Sequence, residues 1–217
     1  MDFLRPKYKP KKYRPALAFA GEFLIFIFIF CFVWSAVFLS FNYRVYANRF
    51  MFDLGLAVAK SDLKELVAKE LAAASRKEKP KNELIIPKIG VSAPIVAAQS
   101  AADKEDILRD LEKGVVLYPG SVAPGKSGKT VILGHSSEFI WYKGDFPTVF
   151  GLIDKLRKGD EITVIFGGKI HKYRVEEKFI KTPRQITADV KEDGLYLMSC
   201  WPIGTDYKRM IVRATLI

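Results

Sequence analysis

Three textures follow one another along the chain. From Leu17 to Phe41 nearly every position is apolar, and Phe23 to Leu39 carries no charge. A helix needs roughly 20 residues to cross the hydrocarbon of a membrane, and this stretch is long enough. From Tyr46 to Glu78, Ala, Leu, Lys and Glu dominate. There Leu56, Leu63, Leu66, Val67 and Leu71 recur at three-, four- and seven-residue spacings with charges between them. That pattern predicts an amphipathic helix, with a start signal at Ser61-Asp62 and a linker in the string Lys77 to Asn82. The repeat is too short to specify a dimerising coiled coil, so a stalk, or a helix lying against the domain, is the preferred reading.

From Glu83 onward short apolar runs alternate with Gly and Pro. Leu84–Pro87, Ala93–Val96, Val115–Tyr118 and Thr130–His135 read as strands. Glu161–Phe166 and Lys169–Lys178 read as a hairpin across Gly167-Gly168, a dipeptide that accepts positive φ. Asp103–Lys113 is a short amphipathic helix ending at Gly114, and Val149–Lys158 reads as a helix stopped by Gly159. Leu195–Pro202 and Lys208–Arg213 are two further apolar arms around a connection broken by Pro202 and Gly204. Around eight strands with few helices predict a mainly β domain, either a closed barrel or a sandwich. The expected organisation is a basic tail over 1–16, a membrane anchor over 17–41, a helical stalk and linker over 42–81, and a β domain over 82–217.

Charge orients this arrangement. The 217 residues carry a net +11, of which +8 lies in residues 1–81 and +3 in the remainder. The β domain shows no basic stripe with interleaved aromatics, which excludes a nucleic-acid partner. Arg5, Lys7, Lys9, Lys11, Lys12 and Arg14 precede the apolar span against the single acid Asp2. Only Arg44 and Arg49 follow it closely. The positive-inside rule then places the N-terminus in the cytoplasm and the chain after about residue 42 outside, as a single-pass plasma-membrane protein. A cleaved signal peptide would have a shorter apolar core and a small-residue exit. This span leaves through Phe41-Asn42-Tyr43-Arg44, so an uncleaved anchor is expected.

Candidate chemistry centres on Cys200. Cys31 falls inside the apolar span, so the external domain holds one unpaired thiol. If the last two arms pair symmetrically about their loop, Cys200 faces Arg209, Met198 faces Ile211 and Tyr196 faces Arg213. Opposed Cβ atoms lie roughly 5 Å apart, so a thiol and a guanidinium share one site. The plain alternative is an inert buried cysteine beside a surface arginine. Of the two histidines, His135 ends a strand that opens into a serine-bearing loop, where functional side chains tend to sit. His171 lies within an alternating strand and reads as an ordinary surface residue. Cys200, His135 and Arg209 make a coherent set for acyl transfer, as nucleophile, general acid and base, and oxyanion or substrate binder.

These residues resemble a known family. Leu195-Tyr196-Leu197-Met198-Ser199-Cys200 is similar to the TLxTC strand end of the sortases, with Ser199 in place of Thr and Tyr196 departing from the early polar residue. Lys208–Val212 resembles their arginine-bearing last strand, and Leu133-Gly134-His135 their strand-end Gly-His. Gly114–Ser121 followed by Pro124-Gly125 resembles the "GV…YPGT…PG" stretch of class D and class E members. The resemblance spans about Leu84 to Ile217. It implies an eight-stranded β-barrel with short helices, and a cysteine transpeptidase with Cys200, His135 and Arg209 in the roles just given. Its implied partners are surface proteins bearing a C-terminal LPxTG-like sorting signal, and an amine of a peptidoglycan precursor or a pilin lysine. Hydrolysis is the implied side reaction.

The chain stops just after its last strand and shows no Asp-Pro-aromatic lid, which favours a housekeeping or class D/E-like enzyme. The segment Ser136–Pro147, with Phe139, Trp141, Tyr142 and Phe146, is either a substrate wall or packing for an insertion. An L,D-transpeptidase-like enzyme is the nearest rival, but its S-H-G-C signature is missing at Leu197–Cys200. A non-catalytic anchored binding module is the other. No cofactor or metal is expected, because no carboxylate cluster has calcium-loop spacing and neither histidine has zinc partners.

Overall fold

Helix α1 (Ala16–Asp53) runs for 38 residues without a proline. The computed structural model describes residues 16–55, 82–98, 104–138, 142–183 and 193–217. The chain divides into two units, Met1–Ser40 and Phe41–Ile217. In the first unit, large apolar side chains such as Phe23, Phe26, Phe28 and Trp34 are exposed on every side of α1. A helix apolar all round suits a lipid environment, and this one is long and apolar enough to cross a membrane. Ser40 Oγ donates back to Ala36 O at 2.8 Å, so its hydroxyl is satisfied within the helix.

In the second unit α1 continues unbroken to Asp53 and ends at Gly55, whose φ of 74° suits a helix terminus. The helix-start signal at Ser61-Asp62 and the rest of the expected stalk lie outside the described residues. The helical residues after Phe41 pack on the β domain. Val45 is buried, Arg49 forms a two-pronged bond to Asp154 (2.6 and 2.7 Å) and also donates to Gly151 O, and Lys155 pairs with Asp53 at 2.6 Å.

The β domain is a closed barrel of eight strands. These are β1 (Glu83–Ile86), β2 (Val91–Ala97), β3 (Val115–Leu117), β4 (Lys129–Leu133), β5 (Glu161–Phe166), β6 (Lys169–Lys181), β7 (Gly194–Trp201) and β8 (Lys208–Leu216). Around the barrel their order is β1-β2-β3-β4-β7-β8-β6-β5, with β5 pairing back on β1. Helix α2 (Lys104–Leu111) lies in the crossover that parallel pairing of β2 with β3 requires. Period-two alternation points Leu84, Ile86, Ile162, Val164, Leu195, Leu197 and Val212 into the core.

Two sequence expectations fail. Val149–Lys158 is not a helix; it is a chain of turns with one 3-10 segment, Ile153–Lys155. Its buried residues Phe150, Ile153 and Leu156 recur every three positions, and Gly151, Ile153, Lys155 and Leu156 each bond three residues back. A spacing of three is the 3-10 period, not the α period. His171 is also no simple surface residue. Its ring fills the space a Cβ on Gly125 would take, at 2.1 Å, while Gly125 N donates to Tyr173 Oη at 2.7 Å. The Pro124-Gly125 turn, with φ of 82° at the glycine, is pinned there.

Candidate active site

Strand β7 lies between β4, parallel to it, and β8, antiparallel to it. Its inward residues Leu195 and Leu197 join the barrel core. Its outward residues Tyr196 and Met198 pack with Ile211, Val131, Leu133 and Phe179 in a second apolar cluster. Both faces are therefore covered, which is why this strand reads as a continuous apolar run. The β7–β8 register pairs Cys200 with Arg209, Met198 with Ile211 and Tyr196 with Arg213, as loop symmetry predicts.

Parallel pairing brings the strand end before His135 alongside β7. Val131 pairs with Tyr196 and Leu133 with Met198. Gly134 N donates to Met198 O at 3.1 Å, extending the ladder past the end of β4. Ser199 Oγ, fully buried, donates to Gly134 O at 2.7 Å and ties the two strand ends together. The outward face thus carries two rows across three adjacent strands, Val131–Tyr196–Arg213 and Leu133–Met198–Ile211. Beyond them Cys200 pairs with Arg209, and His135 lies two residues past the end of β4.

Cys200, Arg209 and His135 are each equipped differently. Cys200 is half-buried and makes no disulfide. Arg209 donates through one terminal nitrogen to Asp206 O (2.8 Å) and Lys208 O (2.9 Å). Those bonds hold that nitrogen against the β7–β8 connection and the start of β8; among the described residues the other guanidinium nitrogens have no hydrogen-bond partner. Arg213, by contrast, is committed to Glu177 at 2.7 Å. His135 is buried; its Nδ1 lies 2.8 Å from Glu138 Oε1, and its Nε2 has no hydrogen-bond partner among the described residues. Phe150 N donates to His135 O at 2.8 Å, and Phe150's ring fills the space beside Gly134. Gly204 N in the β7–β8 connection donates to Ser137 Oγ, joining that loop to the one carrying His135.

Glu138 was not singled out by the sequence, and Tyr142 only as one of the aromatics of Ser136–Pro147. Tyr142 sets its ring edge-on to His135, with centroids 5.3 Å apart and planes at 75°. Burial pushes its hydroxyl pKa up to about 12, with Glu112 and Glu138 adding to the rise. The one available signal was an acid three residues after a strand-end histidine. Residues Phe139 to Trp141 lie outside the described residues, so only part of the Ser136–Pro147 segment is accounted for. A cavity of about 500 Å³, lined by Val45, Asn48, Asp145 and Phe146 among others, includes none of Cys200, Arg209 and His135. Among the described residues no His, Cys, Asp and Glu side chains group as metal ligands.

Residues 84–217 match the family model described as "Sortase domain". The chain is 31% identical over 137 residues to Sortase D of Bacillus subtilis, covering 59% of this chain and 60% of that protein. It therefore spans less than two thirds of that relative's length. Among solved structures it is similar to sortase C-1 from Actinomyces oris, with 27% identity, a TM-score of 0.53, and coverage of 63% of this chain and 73% of that one. It is also similar to a pilus-related sortase C of Group B Streptococcus, with 29% identity, a TM-score of 0.52, and coverage of 64% and 68%.

Proposed function

The chain belongs to the sortase family, and from that premise we propose that it is a membrane-anchored cysteine transpeptidase with Cys200 as nucleophile, His135 as general acid and base, and Arg209 as oxyanion binder. The observation that supports this reading is the cross-strand pair Cys200–Arg209 on β7 and β8, with His135 two residues past the end of β4, the strand paired with β7. With its proton passed to His135 Nε2, Cys200 Sγ attacks the carbonyl carbon of the threonine in an LPxTG-like signal. The charge that develops on the carbonyl oxygen meets the guanidinium of Arg209. As the C–N bond breaks, the leaving amine takes a proton from His135 Nε2, and the acyl group remains on Cys200 as a thioester. An incoming amine then attacks the thioester, gives its proton to Nε2 and releases the thiolate. Water in place of the amine gives hydrolysis as a side reaction.

The acceptor is an amine of a peptidoglycan precursor or a pilin lysine; likeness to a pilus-related sortase supports the second. Residues 1–16 form the cytoplasmic tail, 17–41 the anchor, 42–81 the connection and 82–217 the external catalytic barrel. The all-round apolar face of α1 and the charge bias before it support that topology. Incubating the full chain with a pentapeptide signal library, then analysing it by mass spectrometry, tests the reaction. A thioester on Cys200, absent in Cys200→Ala and weakened in His135→Ala, is expected. An acyl adduct that survives Cys200→Ala would refute the assignment.

A further inference from the structure

We propose that Glu138 is a positioning residue for His135, holding the imidazole in the tautomer that presents a bare Nε2 to the reacting groups; this rests on the reading of His135 given above. A neutral imidazole carries one proton, and which nitrogen holds it depends on what the other meets. Here the two nitrogens meet opposite surroundings. Nδ1 lies 2.8 Å from a carboxylate oxygen of Glu138, which accepts only, so Nδ1 carries the hydrogen. Nε2 is buried and has no partner among the described residues, so it is the atom left for a reacting group. The edge contact with Tyr142 at 5.3 Å fixes the plane of the ring. His135 O is held by Phe150 N, so the backbone beneath the ring is fixed as well.

The contact serves both halves of the reaction. When His135 is protonated, Nδ1–H stays on Glu138 and Nε2–H points to the leaving amine. Once that proton is given up, Nδ1–H is still on Glu138 and Nε2 offers a lone pair to the incoming amine. No rotation of the ring is needed between the steps, and no proton moves to Glu138. Without an acceptor at Nδ1, the neutral ring is free to carry its hydrogen on Nε2 and cannot take a proton there.

Glu138→Gln separates this role from a structural one, because glutamine keeps the shape and a hydrogen bond. Its amide can accept from Nδ1–H or donate to a bare Nδ1, so it no longer enforces one tautomer. The full chain in detergent, with ¹⁵N-labelled histidine, gives two imidazoles to follow, since His171 is the only other histidine and serves as a reference. The expected result is an Nδ1–H tautomer at His135 in the unmodified chain and a shift toward Nε2–H in Glu138→Gln. His171 should not change. With a peptide signal and an amine acceptor, kcat of Glu138→Ala should fall about 10- to 100-fold, the range for loss of a partner that orients a functional histidine at a metal site. KM should stay within about twofold, since uniform substrate binding is untouched.

Wild-type kcat in Glu138→Ala, or an Nε2–H tautomer at His135 in the unmodified chain, would overturn the proposal. His135→Ala run alongside tells the two readings apart. An inactive His135→Ala with a fully active Glu138→Ala ends only the role of Glu138. A fully active His135→Ala ends both.

Discussion

Replacing Gly134 with alanine tests whether the strand end beneath His135 is set by the ring of Phe150. A Cβ at position 134 would lie 2.5 Å from Phe150 Cδ2, 2.7 Å from Cε2 and 3.0 Å from Cγ. Carbon atoms rest at about 3.5–4.0 Å, so the ring must retreat by about 1 Å. It has no free space to enter, because Phe150 is 1% exposed and sits among Ile132, Ile153 and Leu156 in the core. Gly134 is not among the positive-φ glycines, so the backbone accepts alanine and the clash is the whole perturbation. Overpacking of this kind costs about 1–3 kcal/mol, and thermal unfolding should fall by roughly 2–4 °C per kcal/mol. The ring cannot move alone, since Phe150 N holds His135 O. A displacement near 1 Å at His135, the proposed general acid, costs on the order of 10²-fold in rate. Circular dichroism melting and transpeptidation assays on Gly134→Ala, Phe150→Leu and the double variant read both effects. The double variant should be more stable than additivity allows, by about 1 kcal/mol or more. Strict additivity, or an unaltered melt in Gly134→Ala, would refute the account.

Three further outcomes follow from the same geometry. Ser199→Ala leaves Gly134 O without its buried donor, so stability should drop by about 1–3 kcal/mol, whereas Ser199→Thr, the residue of the family motif, should keep the bond; equal melts for both would contradict this. Arg209→Ala should slow acyl transfer far more than Arg213→Ala, because Arg213 is held by Glu177 two rows from the thiol. Arg209→Lys should rescue poorly, since a point charge cannot replace a planar fork; steady-state rates of the three decide it. Tyr142→Phe should raise the melting temperature at neutral pH, because the Tyr142 hydroxyl is buried with no partner among the described residues. From pH 10 to about 12 the unfolded chain loses the Tyr142 proton while the folded chain keeps it, so stability falls with rising pH over that window. Tyr142→Phe should flatten that fall, and alkaline melts check the sign.

Much of the architecture was legible from local pattern. An uncharged apolar span longer than a bilayer needs admits few fates, and α1 is a helix there. Period-two runs between Gly and Pro identified the strands, and the Gly167-Gly168 hairpin formed where expected. Loop symmetry predicted the β7–β8 register because consecutive antiparallel strands leave few alternatives. Val149–Lys158 misled because its apolar residues recur at three, a spacing that a helix and a run of 3-10 turns both tolerate until Gly151 and the buried Phe150, Ile153 and Leu156 decide between them. Glu138 stayed hidden because one carboxylate near one histidine is an unremarkable string until the ring is buried.

What the chain determined by itself was the kind of each element, the faces of its strands and the thiol–guanidinium pair, all properties of residues near in sequence. What only the tertiary structure decided was which strand lies against which. Pairing of β4 with β7 joins residues 65 positions apart, as between Gly134 and Ser199, and parallel pairing across intervening strands leaves no local signal. That pairing brings the strand end before His135 alongside β7, the strand that bears Cys200. It also closes the loop over the imidazole, where Glu138 takes one nitrogen and leaves the other bare, because only a folded barrel can bury that ring.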